Sequence, residues 1–282
     1  MSSRSSRHVL RGTLVASLLL VAGLASVSAA QAATLPTVSV AVSKTTISVG
    51  GTLDSGGVNV ASTATGTKEA SATFILLKPG VTPAEVFAFL ATNKAGRDPN
   101  TVSKFGSIVF DAEAPVGKSE AQTTLQPGTY VALSAEGEKS SAWATTSFII
   151  RASAAPQALP APAAVERTID FAFRGPSVLH VGELVGFENE GYVVHMDFGL
   201  PVKSKSAGKK LVKDLASGNE KGAGKLVAGP PANFANPMST GGYQQEVITA
   251  KPGFYVQVCF MSTQDGRSHT RLGMERVIKI TK

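Results

Sequence analysis

The sequence predicts an all-β protein built from two similar halves, on the basis of three observations. Short segments in which apolar and polar residues alternate recur throughout residues 37–151 and 166–282. Turns rich in glycine and proline separate these segments. The same order of strand, helix and turn motifs then occurs twice along the chain, so one half predicts the architecture of the other.

Residues 1–33 have the features of an export signal. Arg4, Arg7 and Arg11 precede an apolar run at residues 13–25, and Ala30-Gln-Ala32 is a small-x-small cleavage motif. Cleavage near Ala32 would leave a secreted or cell-envelope protein. A retained membrane anchor is the alternative, although the apolar run is short for a bilayer span. No segment of the mature chain is apolar enough to form an integral span.

The first half, residues 34–151, combines predicted strands with one predicted helix. Strands are predicted near residues 38–42, 72–77, 108–110, 129–133 and 146–150. Thr82-Pro83-Ala84-Glu85 predicts a helix start, because Thr82 can cap, Pro83 suits the first helical position and Glu85 completes a capping box. No histidine occurs between residues 34 and 152.

A Pro/Ala-rich segment, residues 152–165, predicts a semi-extended linker and the domain boundary. The second half, residues 166–282, begins with an alternating segment at residues 168–173. Further strands are predicted at residues 184–187, at 192–200, which carries His195, and at 243–248. Ser206 is predicted to cap a short helix that ends near Leu215. Residues 218–242 are predicted to be a polar segment rich in glycine and proline.

The last strongly patterned stretch, residues 251–274, carries the candidate chemistry. It begins with a Pro-Gly turn and continues as an alternating strand, with Gln257 and Cys259 on one face. Cys259 is the only cysteine of the chain, so an internal disulfide is excluded. A buried inert thiol, an intermolecular disulfide and a metal ligand remain as alternatives.

The two halves match as a sequence duplication. Pro127-Gly-Thr-Tyr130 corresponds to Pro252-Gly-Phe-Tyr255, and the segment around Phe74 corresponds to the segment around Phe198. This alignment predicts Ser71 at the position of His195 and Ser134 at the position of Cys259. The first half is therefore predicted to keep the scaffold without any candidate ligand.

The motifs of residues 166–282 resemble those of a known family. They are Phe187-x-Asn189-x-Gly191 before His195, then Pro252-Gly253-x-Tyr255-x-x-x-Cys259 and His269-x-x-x-x-Met274. These residues resemble the cupredoxins, the plastocyanin/azurin-like blue-copper superfamily, and in particular its exported bacterial members. The resemblance implies that each half is a Greek-key β-sandwich with a short helical insertion. It also implies one copper ion, held by His195, Cys259 and His269 with Met274 as a weak axial ligand, and one-electron transfer.

One departure from the family pattern concerns the loop between two ligands. Nine residues separate Cys259 from His269, far more than in well-known members, and a longer loop is expected to hold its ligands less rigidly. The alternative function is therefore a metal-free cupredoxin-like envelope or secreted module that binds a partner through residues 218–242.

The histidine count predicts that the chain is not an enzyme. Two-domain copper oxidases and nitrite reductases need further histidines for a second copper centre, and in the mature chain only His180 remains besides the two candidate ligands. The lysines between Lys203 and Lys225 predict either a solvated face or a docking patch for a redox partner or an anionic envelope surface. The scarcity of aromatic residues there argues against nucleic-acid binding.

Overall fold

The computed structural model describes residues 34–67, 70–93, 98–114, 117–135 and 139–282. The predicted export signal and its cleavage site lie outside these residues. Residues 34–282 form one compact unit. None of the helices in this described part of the chain has the length and apolarity needed to cross a bilayer.

The first half contains a run of strands interrupted by one α-helix. A 3₁₀ turn, Pro99–Lys104, follows the helix. In chain order the elements are β1 (Thr37–Ser43), β2 (Ile47–Gly51), β3 (Gly56–Thr65), β4 (Ser71–Leu77), α1 (Pro83–Leu90), β5 (Gly106–Glu113), β6 (Gly117–Leu125), β7 (Gly128–Ser134) and β8 (Ala144–Ile150).

The second half repeats this plan with two helices after its central strand. A 3₁₀ turn, His269–Leu272, precedes its last strand. The elements are β9 (Ala164–Ile169), β10 (Ala172–Arg174), β11 (Val178–His180), β12 (Leu184–Asn189), β13 (His195–Val202), α2 (Lys205–Ala216), α3 (Glu220–Gly224), β14 (Ala232–Met238), β15 (Tyr243–Val247), β16 (Gly253–Val258) and β17 (Glu275–Thr281).

The strands form three sheets, and each half contributes to two of them. The first half has its own sheet in the order β5-β4-β7-β8, and the second half has the sheet β11-β17-β16-β13-β14. An eight-stranded sheet, β10-β9-β12-β15-β6-β3-β1-β2, runs through both halves. The pair β1/β3 is parallel, as is its counterpart β9/β12. The predicted all-β class and the two-sandwich plan are confirmed.

Each half has its own apolar core between its two sheets. Val58, Phe74 and Tyr130 are fully buried in the first half, and Val185 and Ile278 occupy the second core. Burying a side chain of this size contributes about 1.5–3 kcal/mol relative to leaving it in water. The cores therefore account for the strict alternation of the strands that line them.

The Pro-Gly-x-Tyr motif has the same role in both halves. The Tyr130 hydroxyl donates to the Gln126 carbonyl oxygen at 2.8 Å, and the Tyr255 hydroxyl donates to the Lys251 carbonyl oxygen at 2.9 Å. Each tyrosine thereby fixes the turn that begins its strand, β7 or β16.

Strand pairing corrects the predicted alignment of the halves by one residue. Leu76 pairs with Tyr130, and Pro201 pairs with Tyr255. With the two tyrosines aligned, Ala70 rather than Ser71 occupies the position of His195, while Ser134 still matches Cys259. The matched phenylalanines caused the error: Phe74 points into the core between the sheets, whereas Phe198 packs on the opposite face with the residues beneath α2. A slip of one residue moves every side chain of a strand to the other face.

The two halves join edge to edge through β6 and β15. Gln122 pairs with Gln245, and the Gln245 side-chain amide donates to the Gln122 side-chain oxygen at 2.7 Å. The predicted linker lies against this sheet, because Gly57 N–H donates to the Gln157 carbonyl oxygen at 2.7 Å. The last residues of that segment begin β9. The domain boundaries themselves stay a prediction.

The helices follow the predicted capping rules, with one correction. Thr82 and Glu85 form the predicted capping box of α1. The cap of α2 is Ser204, whose Oγ accepts from Ala207 N–H at 3.2 Å, while the predicted cap Ser206 lies inside the first turn.

Residues 218–242 are also more ordered than the sequence indicates. They include α3 and β14, and β14 pairs with β13. Phe234 and Met238 of β14 are buried in the second core. This segment is therefore part of the sandwich, and partner binding through it stays a prediction.

Candidate metal centre

The candidate ligands lie at one end of the second sandwich because of how its strands pair. His195 begins β13, and Cys259 directly follows β16, the antiparallel neighbour of β13. His269 begins the 3₁₀ turn before β17, and Met274 is the last residue before that strand. All four side chains are buried, with His195 at 1% exposure and the other three at 0%.

Three ligand atoms face one another at short range. His195 Nδ1 and His269 Nδ1 are 3.2 Å apart. Cys259 Sγ lies 3.3 Å from His269 Nδ1 and 3.8 Å from His195 Nδ1. Metal bonds of about 2.0–2.3 Å to nitrogen and sulfur in a trigonal plane would separate these atoms by about 3.5 Å. Met274 packs with Cys259 in the same small buried cluster.

Burial sets the protonation of the donor atoms. Desolvation lowers the pKa of His269 to about 4, and the positive charge of His195 adds to this effect. Desolvation also lowers the pKa of His195. Both rings are therefore neutral at pH 7 and can offer a lone pair. Burial raises the pKa of the Cys259 thiol to about 12, so a metal ion must displace its proton to bind the thiolate.

Asp170 orients the imidazole of His195. Its Oδ1 lies 3.4 Å from His195 Nε2 and accepts from Tyr192 N–H at 2.9 Å. A proton on Nε2 that faces this carboxylate leaves the Nδ1 lone pair directed at Cys259 and His269. Gly191 makes the contact possible, because a Cβ there would lie 2.6 Å from His195 Nε2 and 2.8 Å from Asp170 Oδ1.

The geometry fits a metal ion among the three donors. Two unprotonated ring nitrogens 3.2 Å apart repel each other unless a proton or a cation lies between them. His269 Nε2 is buried and has no hydrogen-bond partner among the described residues. Its ring is therefore held by packing and by the atoms that face its Nδ1. One thiolate and two imidazoles form a donor set that suits copper.

A tight turn covers this end of the sandwich. The sequence predicts one alternating strand over residues 168–173, but the chain turns between β9 and β10 at Asp170 and Phe171. Phe171 has a φ of 61°, which is unusual for a bulky side chain. Its ring meets the rings of His269 and His195 edge-on, with centroid distances of 5.1 and 6.4 Å. The turn thus supplies both the orienting carboxylate and an aromatic cover.

The nine-residue loop between Cys259 and His269 is closed at its base. His269 N–H donates to the Met261 carbonyl oxygen at 2.8 Å, and Ser262 forms a β-bridge with Ser268. Thr263 and Arg267 are hydrogen-bonded within the resulting small hairpin. Most of the extra residues therefore form this small hairpin. The hydrogen bond between Met261 and His269 brings the two ends of the loop together at its base. The expectation of a loosely held loop does not apply to its base.

Gln257 has polar partners on the Cys259 face of β16. Its amide donates to Asp197 Oδ2 at 2.7 Å, and its oxygen accepts from Arg276 Nε at 2.9 Å. Arg276 also forms an ion pair with the buried Glu166. Burial raises the pKa of Asp197, and the negative charge of Glu166 adds to the effect. Sequence patterning gave no signal for this network, since its members lie on four separate strands, β9, β13, β16 and β17.

His180 lies outside the cluster, as predicted. Its ring is exposed, and Nδ1 is 2.8 Å from the Thr281 hydroxyl oxygen on the neighbouring strand β17. Within the described part of the chain, one group of three or more His, Cys, Asp or Glu residues lies close enough together to hold a metal ion. It consists of His195, Cys259 and His269.

No protein-family model and no curated protein matches the sequence. Similar solved structures include a reduced auracyanin from the photosynthetic bacterium Roseiflexus castenholzii, which is 19% identical, with coverage of 42% of this chain and 95% of auracyanin and a TM-score of 0.26. A copper-containing nitrite reductase from Thermus scotoductus is 13% identical, with coverage of 87% and 68% and a TM-score of 0.24. A multicopper oxidase is 12% identical, with coverage of 87% and 88% and a TM-score of 0.24.

The two-sandwich topology described above agrees with the cupredoxin-like plan that the sequence motifs predict. The auracyanin match is about as long as one half of the chain, and the nitrite reductase match extends over most of both halves.

The prediction that the chain is not an enzyme, which is based on its histidine count, is wrong. Two-domain structures similar to the chain include nitrite reductases and a multicopper oxidase. The cupredoxin-like tandem thus occurs in enzymes, and it gives no ground for excluding an enzymatic activity.

Proposed function

We propose that the second half of the chain binds one copper ion, for electron transfer or copper handling. The observation that supports this most directly is the convergence of His195 Nδ1, His269 Nδ1 and Cys259 Sγ within 3.8 Å of one another. These residues would hold the ion, with Met274 as a weak fourth ligand. A copper ion in such a donor set supplies one-electron redox chemistry.

The residues around the donors support this function through rigidity and exclusion of water. Asp170 keeps the Nδ1 lone pair of His195 directed inward. Phe171 covers the two imidazoles, and the complete burial of Cys259 and His269 keeps bulk water away from the donor atoms. A site that changes little when its charge changes is suited to fast electron transfer, because few groups must reorganise.

Titration of the metal-free protein with Cu(II) tests the proposal. We expect one equivalent to bind, to produce an intense visible thiolate-to-copper band and to raise the melting temperature. Cys259→Ser should abolish the band and retain the fold, since Ser134 occupies the equivalent position in the first half. His180→Ala is the matched histidine control and should leave the band unchanged. Absence of both colour and thermal stabilisation in the unaltered protein would favour the metal-free alternative.

We propose export as the route by which the chain reaches its site of action. The basic and apolar segments of residues 1–33 and the Ala30-Gln-Ala32 motif support this. The N-terminal sequence of protein recovered from the envelope or the medium tests it, with cleavage expected near Ala32. Retention of Met1 would indicate a membrane anchor instead.

We further propose that the lysines on α2 and α3 form a docking surface for an acidic redox partner. Lys205, Lys209 and Lys213 are exposed, and α2 packs against the 3₁₀ turn that carries His269. Reduction of the copper-loaded protein by ferrocyanide is a simple probe. Changing these three lysines to glutamine should slow the reaction at low salt and weaken its dependence on ionic strength. Equal changes at Lys44 and Lys139, in the first half, should have a smaller effect.

A further inference from the structure

The first half contacts the chain next to both candidate ligand segments. Val194, which directly precedes His195, donates its backbone N–H to the Asn100 side-chain oxygen at 2.7 Å. Asn100 belongs to the 3₁₀ turn Pro99–Lys104 of the first half. The backbone that delivers one ligand is therefore fixed by a side chain from the half that has no ligand.

Asn100 is itself held in place and also reaches the second ligand segment. Its backbone N–H and its side-chain amide both donate to Asp98 Oδ1 at 3.0 Å. The same side-chain amide lies 3.5 Å from the carbonyl oxygen of Ser262, at the base of the hairpin between Cys259 and His269. This second contact is long, so the bond to Val194 is the stronger of the two.

Apolar packing reinforces the polar contact. Val194 is 3% exposed and lies in a cluster with Leu90 and Val102 of the first half. Met261 packs on the same cluster, and its carbonyl oxygen accepts the His269 N–H. Both histidines are thus attached to residues whose side chains pack against the first half, with Val194 buried and Met261 partly buried.

We propose that the first half acts as a positioning domain for the metal centre, with Asn100 as its main positioning residue. The proposal rests on the proposed function only in identifying the site as a copper site. The contacts themselves involve protein atoms alone. They add contacts from the first half to the base of the hairpin and to the loop before β13, and they give the ligand-free half a role that its retained fold alone does not explain.

The test uses Asn100→Ala and two comparison variants in the full-length purified protein. Asn100→Asp retains an oxygen that can accept from Val194 N–H, but it replaces the amide that donates to Asp98 with a second carboxylate. Gln122→Ala removes a different side-chain contact between the halves, at the β6/β15 edge, away from the ligands. Hydrogen exchange of the metal-free protein is followed in residues 192–196 and 260–270. Loss of one hydrogen bond is expected to speed exchange there by roughly fivefold to tenfold in Asn100→Ala. We also expect faster exchange in Asn100→Asp, because repulsion from Asp98 displaces the side chain, and no change in Gln122→Ala.

A Cu(II) titration of the same variants separates this proposal from the copper proposal. Asn100→Ala should weaken or broaden the visible band that Gln122→Ala retains. Unchanged exchange in Asn100→Ala, or an equal change in Gln122→Ala, would overturn the positioning role even if copper binds. If the unaltered protein binds no copper and Asn100→Ala still speeds exchange, the copper proposal fails and the positioning role stands. Should Asn100→Ala not fold, the comparison of Asn100→Asp with Gln122→Ala decides in the same way.

Discussion

Comparison of the two halves separates the residues that form the β-sandwich from the residues that are candidate metal ligands. Both halves have the same strand order in their two sheets and the same tyrosine that closes a Pro-Gly turn. They differ at the candidate ligand positions, where Ala70 and Ser134 of the first half correspond to His195 and Cys259 of the second. The first half therefore forms the scaffold without the candidate ligands, so the fold does not depend on them.

The closest correspondence lies at the sulfur position. Ser71 N–H donates to Ser134 Oγ at 3.2 Å, and Met196 N–H donates to Cys259 Sγ at 3.4 Å. The same backbone group thus meets an oxygen in one half and a sulfur in the other. This match explains why we expect Cys259→Ser to retain the fold.

The largest expected effect concerns the junction that makes the two halves one unit. Asp111 of β5 is 5% exposed, and its Oδ1 accepts from Asn236 of β14 at 3.1 Å. Burial raises the pKa of Asp111 from its ordinary value of 3.8 to about 7. The folded protein therefore binds this proton more tightly than the unfolded chain. The associated stability is complete below pH 3.8 and is lost as the pH rises to about 7.

Asp111→Asn removes this pH dependence. Relative to the unaltered protein, the variant should gain up to about 4 kcal/mol between pH 4 and pH 8, the equivalent of a shift of roughly three pKa units. Urea unfolding at several pH values measures the difference. Asp54→Asn, at an exposed carboxylate paired with Arg151, is the control and should change the pH dependence far less. Parallel pH profiles for Asp111→Asn and the unaltered protein would contradict the prediction.

Local sequence patterns predicted many of the strands and the capping of α1, but they gave no prediction of β2, β3, β6 or β14. Gly-containing turns and alternation depend on neighbouring residues, so they can be read directly from the chain. The family motifs then identified His195, Cys259, His269 and Met274, and the structure brings the first three donor atoms together. Copper binding itself remains a proposal.

Features that depend on distant contacts could not be predicted in this way. The turn at Phe171 contains no glycine or asparagine, and its alternating neighbours indicated a continuous strand. Asn100 lies far along the chain from Val194, and nothing in its local sequence marks it as a contact of the ligand segment. The alignment of Phe74 with Phe198 was wrong for a similar reason. Local sequence similarity does not show which face of a strand packs against a helix, and Phe198 packs on that face whereas Phe74 does not.

The second prediction concerns Asp170, which contacts a ligand present only in the second half. Asp170→Asn keeps an oxygen acceptor for Tyr192 N–H and removes the negative charge near His195 Nε2. Loss of such an outer contact typically lowers metal affinity by about 10-fold to 100-fold, and loss of the negative charge should raise the reduction potential. Competition with a copper chelator and voltammetry measure the two quantities.

A second carboxylate near the same loop provides the control for Asp170. Asp265 is exposed on the hairpin between Cys259 and His269 and pairs with Arg267. Asp265→Asn makes the same change in charge without touching His195, so its effect on the potential should be clearly smaller. Equal shifts in the two variants would mean that Asp170 acts through its charge alone and does not orient the ring.

The smallest expected effect compares the two tyrosines that the halves share. Tyr130→Phe removes two contacts, because the hydroxyl donates to the Gln126 carbonyl oxygen and accepts from its N–H at 3.0 Å. Tyr255→Phe removes one hydrogen bond, to the Lys251 carbonyl oxygen. We expect a loss of about 1–2 kcal/mol in the free energy of unfolding for Tyr130→Phe and about 1 kcal/mol for Tyr255→Phe, measured by urea unfolding. The two losses should add in the double variant, since the turns are separate. A larger loss from Tyr255→Phe would show that Tyr255 contributes more to the stability of the second half than Tyr130 contributes to the first. The two scaffolds would then not be equivalent.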